Sequence, residues 1–222
     1  MRAKLSAVRA AVVGLVGAAA LVCGATLALA QETKVMALPK PEMTGGRPLM
    51  EVLKDRKTIR TISNKPLPAQ TLSNLLWAAC GVNRPDGRRT APTAMNAQEI
   101  DVYVAMADGL YLFDAKAHAL NLVVAKDLRG ATGGQPFVRE APVNLIFVAD
   151  LTKFRNASDE TKNFYSATDT GYISQNVYLY CASEGLATVV RGGVPREELS
   201  KAMGLRPDQK IILAQTVGYP AQ

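Results

Sequence analysis

Two hydrophobic periods alternate along the chain from Pro48 onward. Leu49, Met50, Val52 and Leu53 suit the first turns of a helix opened by Pro48 and ending near Arg56. A second helix is predicted from Pro68 to Ala79, with Leu72, Leu75, Leu76 and Ala79 on one face and Gly81 as its stop. In "TDTGYISQNVYLYCASEGL" the same period returns over a long helix, with Ile173, Val177, Tyr180 and Cys181 inward and an end near Gly185. A short helix from Pro195 to Met203 follows. Period-two alternation marks "EIDVYVAMADGLYLFDA" as a strand pair turning at Asp108-Gly109. "VNLIFVAD", Val143 to Asp150, is apolar without interruption and so predicts a strand buried on both faces, and "KIILAQTVGYP" predicts another near the end. Helices, hairpin, strand, long helix, helix and strand in that order specify an α+β domain: a mainly antiparallel sheet flanked by helices.

Three stretches show neither period. Residues 31–47 are polar, with Pro39, Pro41 and Gly45-Gly46, and are expected to form an extended N-terminal arm. "VNRPDGRRTAPTAMNAQ", Val82 to Gln98, is a long irregular segment inside a domain, the kind of loop that commonly carries function. "LATVVRGGV" connects the long helix to the next, and Gly192-Gly193 there allow backbone N–H groups to approach a flat ligand closely; taken alone, the pair is a helix-to-helix connection.

The first thirty residues belong to a different kind of segment. Arg2, Lys4 and Arg9 precede an apolar run from Ala10 to the small-residue triplet Ala28-Leu29-Ala30, the form of a secretory signal peptide cleaved after Ala30. An uncleaved membrane anchor is the competing reading, disfavoured by the richness of the run in Ala and Gly. Export, with a periplasmic destination and no stable anchor after cleavage, is therefore expected. Residues 48–222 form one domain's length of chain.

Charge excludes one class of partner. The formal net charge is +7, of which the signal peptide supplies three cations, and outside "KDRKTIR" the remaining cations are scattered among acids. Nucleic-acid binding would gather them on one face with interleaved aromatics, so it is not expected. One histidine, His118, and two isolated cysteines beyond the signal peptide, Cys80 and Cys181, form no set with metal-ligand spacing. No G-x-S-x-G elbow, phosphate-binding P-loop or dinucleotide-binding glycine turn is present either. With no protein-borne nucleophile or metal to assign, catalytic chemistry must come from a cofactor.

"LKDRKTIRTI" is then the conspicuous feature. Arg56, Lys57 and Arg60 surround the Thr58 hydroxyl at a helix end, a set suited to chelating a phosphate monoester, although a solvated helix end with dipole-complementing cations has the same composition. In "PTAMNAQ", Thr93, Asn96 and Gln98 add a hydroxyl and two amides able to pair with the donor and acceptor edges of a heterocycle. With "LATVVRGGV" these resemble, in order and spacing, the R-R-S-x-R, P-S-S-x-N-x-Q and G-L-x-x-x-x-x-G-G elements of the nitroreductase family of flavin enzymes. They read here Arg56-Lys57-Thr58-Ile59-Arg60, Pro92 to Gln98, and Gly185-Leu186 through Gly192-Gly193, with "VGYP" following. The resemblance spans Leu49 to Pro220 and departs mildly in Lys57 and Thr58, where the family more often has Arg and Ser.

The resemblance implies a dimeric α+β sandwich holding FMN at the dimer interface, and an FMN-dependent oxidoreductase. By the same resemblance, Arg56, Thr58 and Arg60, assisted by Lys57, would hold the FMN phosphate. Asn96 would bond the polar edge of the isoalloxazine or ribityl, Thr93, Ala94 and Met95 would lie along the ring, and the backbone at Gly192 and Gly193 would face flavin N5. The expected activity is hydride transfer through N5 from a reductant to an electron-poor small-molecule acceptor, a nitroaromatic or a quinone. The signal peptide leaves NADH or NADPH open as the donor, because both are cytoplasmic. Two alternatives remain at this level: a dehydrogenase or oxidase of the same fold, such as the azoline-oxidising branch acting on peptides, and a non-catalytic flavin-binding protein.

Overall fold

The computed structural model describes residues 34–221. The signal-peptide segment and the first residues of the arm lie outside them. The described chain builds a seven-stranded antiparallel sheet with helices on both faces, an α+β sandwich.

The helices in chain order are α1 Leu49–Asp55, α2 Ala69–Cys80, α3 Pro136–Glu140, α4 Asp159–Ser183 and α5 Arg196–Met203. The strands are β1 Val35–Ala37, β2 Ile100–Met106, β3 Gly109–Asp114, β4 Ala119–Val124, β5 Val143–Asp150, β6 Ala187–Arg191 and β7 Gln209–Gly218. They lie side by side in the order β1-β4-β3-β2-β5-β7-β6.

β5 lies inside the sheet because all eight of its residues are buried. It pairs with β2 on one side and β7 on the other, and its side chains alternate between two cores. Leu145, Phe147 and Ala149 meet Leu72, Leu75 and Leu76 of α2 and Ile173 and Val177 of α4. Ile146 and Val148 meet Leu199 and Met203 of α5. Each fully buried leucine there contributes about 1.5–3 kcal/mol relative to exposure.

Several elements differ from the periodicity. β6 is a strand where a helix-to-helix connection was expected, β4 and the short α3 add elements that the periodicity did not mark, and residues 35–37 of the arm pair with β4 as an edge strand. α4 begins at Asp159, nine residues before the stretch from Thr168 that the periodicity marked, because Ser158 caps it by accepting from Thr161 N and Asp159 and Glu160 sit in its first turn. On α4 the buried tyrosine is Tyr178; Tyr180 is half-buried, its hydroxyl donating to Thr71 O at 3.3 Å. α1 buries Val52 but leaves Leu49, Met50 and Leu53 exposed at 60%, 75% and 44%.

Candidate functional site

The basic stretch begins at a helix end, as expected, with Arg56 as the C-cap of α1, and then leaves it. α1 stops at Asp55, and residues 56–60 run extended beside β6, with Ile59 N donating to Thr188 O at 3.0 Å and the Ile59 side chain entering a small core with Ile62, Ala187 and Val189. In an extended segment successive side chains alternate, so Arg56, Thr58 and Arg60 share the side opposite Ile59. Among the described residues none of Arg56, Lys57 and Arg60 has a carboxylate within 4.0 Å. The Arg56 guanidinium lies 5.3 Å from the ring centroid of Tyr178, a cation–π contact that holds the charge without neutralising it.

Tyr178 ties this segment to the glycine pair. Its hydroxyl is 2.9 Å from Thr58 Oγ1 and accepts from Val190 N at 3.0 Å. The Tyr178 oxygen thus joins the Thr58 hydroxyl to the β6 backbone, and either hydroxyl can be the donor between them. β6 then leads in two residues to Gly192 and Gly193, both exposed, whose N–H groups have no protein acceptor among the described residues. A Cβ on Gly193 would touch nothing within 4 Å, and one on Gly192 would meet only the Leu213 Cδ2 at 3.9 Å. Two free backbone donors therefore face open space.

The loop 92–98 is built differently. Met95, Asn96 and Gln98 all adopt left-handed backbone, with φ of 54°, 52° and 48°. Such conformations cost roughly 1–3 kcal/mol each in non-glycine residues and persist only where surroundings impose them. Here Ala94 N donates to Asp169 Oδ2 of α4 at 2.9 Å, Thr93 Oγ1 donates to Glu99 Oε2 at 3.1 Å, and Gln98 N donates to Thr93 Oγ1 at 3.0 Å. Thr93 and the Ala94 N–H are thus committed within the loop's own scaffold. Met95, 59% exposed, and Asn96 face outward, the Asn96 Oδ1 accepting from Gln98 Nε2 at 3.3 Å.

The arginines of the preceding segment are also committed. Arg84 donates to Asn83 Oδ1 and Arg89 O, Arg88 pairs with Asp86 at 3.4 Å, and Arg89 donates to Ile100 O. They shape residues 82–90 around the Val82–Arg89 bridge. His118 is half-buried and structural: its Nε2 lies 2.7 Å from Ser73 Oγ, which donates to Pro39 O, fastening the arm to α2, and burial holds its pKa below the usual value. Cys80 and Cys181 are buried free thiols, and burial pushes Cys80 up to about 11, which removes thiolate chemistry at neutral pH.

The sequence-predicted residues fall into two groups on opposite flanks of α4. Tyr178 holds Arg56, Thr58 and the approach to Gly192-Gly193, whereas Asp169 holds Thr93 to Asn96. Nine residues separate Asp169 from Tyr178, which at about 100° per residue turns the two side chains to opposite sides and at 1.5 Å per residue separates them by roughly 14 Å along the axis. Three residues that periodicity reasoning passed over carry this arrangement: Tyr178, Glu99 and Asp169. Their signal was available in part. Ser166, Asp169 and Thr170 extend the stripe of Ile173 and Val177 toward the start of α4 at helical spacing, so polar side chains occupy buried positions there.

A model of the nitroreductase family matches residues 53–219, and the chain belongs to that family. A crystal structure of a candidate nitroreductase from Ralstonia eutropha is 46% identical, with a TM-score of 0.81 over 85% of this chain and 90% of that one. A candidate nitroreductase of Methanocaldococcus jannaschii is 29% identical over 71% of this chain and 85% of its own length. The NAD(P)H-dependent FMN reductase of Bacillus subtilis is 23% identical over 78% of this chain and 66% of its own. The protein is an FMN-dependent oxidoreductase. Its residues fit FMN: cations without counter-ions on one side of an extended segment suit a phosphate, and two unpartnered backbone donors beside open space suit the edge of a flat ring.

Proposed function

We propose that this chain is an exported, homodimeric oxidoreductase in which FMN passes hydride from a reductant to an electron-poor acceptor of nitroaromatic or quinone type. The observation that carries the reading is the counter-ion-free set Arg56, Thr58 and Arg60, tied through Tyr178 to the strand that ends at Gly192-Gly193.

Bound FMN supplies two-electron hydride chemistry that needs no protein nucleophile. The chain's part is to bind and orient. Arg56, Arg60 and the Thr58 hydroxyl would hold the phosphate from one side of the extended segment, with Lys57 assisting from its edge. The Gly192 and Gly193 N–H groups would donate to the ring edge at N5, and Asn96, with Met95, Ala94 and Thr93 behind it, would lie along the ring. Lys153 and Arg155 line the groove beside Met95 and Asn96 and give the acceptor's approach a positive lining. NADH and NADPH are the first donors to test, since the relative from Bacillus subtilis uses NAD(P)H.

The opposed flanks of α4 support the homodimer. One protomer's loop 92–98 and its own phosphate set face away from each other, so a second copy that brings its loop to the first copy's phosphate set completes the site. Exposed Leu49, Met50 and Leu53 on α1 and Phe164 and Tyr172 on α4, at 44–75% exposure, supply apolar surface for it. Export rests on residues 1–30.

The test is direct. Residues 31–222, purified, should be yellow and release FMN on denaturation, and should run as a dimer by light scattering. Dithionite-bleached protein should be re-oxidised by a nitroaromatic or quinone under nitrogen and not by buffer alone. Protein that takes up no added FMN would sink the proposal.

A further inference from the structure

Glu99 and Asp169 are carboxyl groups with 0% and 2% exposure, brought together from the start of β2 and the flank of α4. Both grip the same loop. Glu99 Oε2 accepts from Thr93 Oγ1 at 3.1 Å and Asp169 Oδ2 accepts from Ala94 N at 2.9 Å, so two buried carboxyls hold adjacent residues, and burial together with the nearby Asp169 carboxyl pushes the Glu99 carboxyl up. Two buried carboxyls held this close repel unless one of them carries a proton. Glu99 Oε1 is buried and has no hydrogen-bond partner among the described residues, which suits a protonated oxygen. A small pocket adjoins the pair, lined also by Arg89, Cys80 and Gln98.

We propose that Glu99 and Asp169 are positioning residues: a proton-sharing carboxyl pair that holds Thr93 to Gln98 in its left-handed, ligand-ready shape and releases it when the proton is lost. In the closed form Glu99 Oε1–H donates to the Asp169 carboxylate. Loss of that proton to solvent leaves two negative groups facing each other in a dry site, and the repulsion is relieved by moving Thr93 and Ala94 apart. The strain stored at Met95, Asn96 and Gln98 then has nothing to sustain it.

The charged and titratable groups around the pair are few. Arg89 is the cation that lines the same pocket; it directs Nη1 to Ile100 O, and its buried Nε has no partner among the described residues. Lys153 pairs with Asp101 at 2.7 Å and reaches the Gln98 O at 3.4 Å, Asp150 contributes its backbone N–H to Glu99 O, and Cys80 is a neutral thiol. Burial, reinforced by the field of Asp169, pushes the Glu99 carboxyl from its ordinary 4.5 up to about 7. Because the folded value is raised, the folded state binds more protons than the unfolded chain between these values. The stabilisation is complete below the unfolded value and declines as pH rises through the folded one.

The consequence for FMN rests on the function proposed above; the consequence for stability does not. Wild type without FMN should lose about 5 °C of Tm between roughly pH 5 and pH 8 relative to Glu99→Gln, whose amide keeps both bonds without a titrating proton. FMN affinity of wild type should weaken about tenfold more than that of Glu99→Gln over the same range, the phosphate's own ionisation being common to both. Asp169→Asn, which can donate its amide to an ionised Glu99, should also abolish the slope. Infrared titration of wild type should show a carboxylic acid ionising near neutrality. Parallel pH profiles for wild type and both variants, or no carboxyl titrating near neutrality, would overturn the pair. Should Glu99→Gln fail to fold, the infrared titration decides. A Tm slope that vanishes in the variants while no protein binds FMN would uphold the pair and strike the flavin reading instead.

Discussion

The extended segment 56–60 and the loop 92–98 solve opposite problems. The first keeps its charges free: Arg56 rests on an aromatic face, Arg60 is exposed, and among the described residues no acid pairs with either. Its binding free energy is held for a ligand. The second uses its polar groups on itself, committing Thr93 and the Ala94 N–H to two buried carboxyls and the Gln98 N–H to Thr93 Oγ1, with three residues held in left-handed backbone. Its contribution is shape. The comparison teaches that affinity and positioning are divided between two regions that α4 connects.

Substitutions should separate these roles. The largest effect is expected from Arg56→Ala with Arg60→Ala: two charge-assisted hydrogen bonds at about 1.5–3 kcal/mol each predict at least a ~100-fold loss of FMN affinity by fluorescence titration, with Tm of the FMN-free protein nearly unchanged. A comparable fall in Tm would erase the distinction. Tyr178→Phe removes the hydroxyl that joins Thr58 to Val190 N. It should lower both properties, stability by about 1–2 kcal/mol in chemical denaturation and FMN affinity by about tenfold. Lys57→Ala, on the alternate side of the extended segment, should weaken FMN by only about twofold to threefold, and a loss matching that of the double arginine variant would show that the segment binds in a twisted form. Smallest, Met95→Gly relieves left-handed strain at an exposed position and should raise stability by about 0.5–1 kcal/mol, while loosening the loop. A drop in Tm there would mean that the Met95 side chain supports the loop after all.

Much of the fold was legible because burial imprints periodicity. Leu72, Leu75, Leu76 and Ala79 of α2 and the unbroken apolar run of β5 are buried as their spacing requires. The hairpin between β2 and β3 is where its alternation placed it, although it turns one residue earlier than predicted, at Ala107-Asp108, with Gly109 already paired to Met106. β6 was missed because five residues flanked by glycines are too few to display a period, and β4 because its alternation begins beside the polar turn around Lys116. The start of α4 was hidden by its solvent-facing composition, which leaves only the Ser158 cap as a marker.

Sequence alone determined the family, the order of helices and strands, and the residues whose chemistry suits a phosphate, since residue type and spacing are local properties of a chain. Tertiary structure decided how those residues are used. The basic stretch alternates as extended chain because β6 pairs beside it, Tyr178 faces it because α4 crosses the sheet there, and Glu99 meets Asp169 across seventy residues of chain. Contacts between residues so far apart arise only when buried surfaces pack, and a buried charge acquires its proton only once that packing has excluded water.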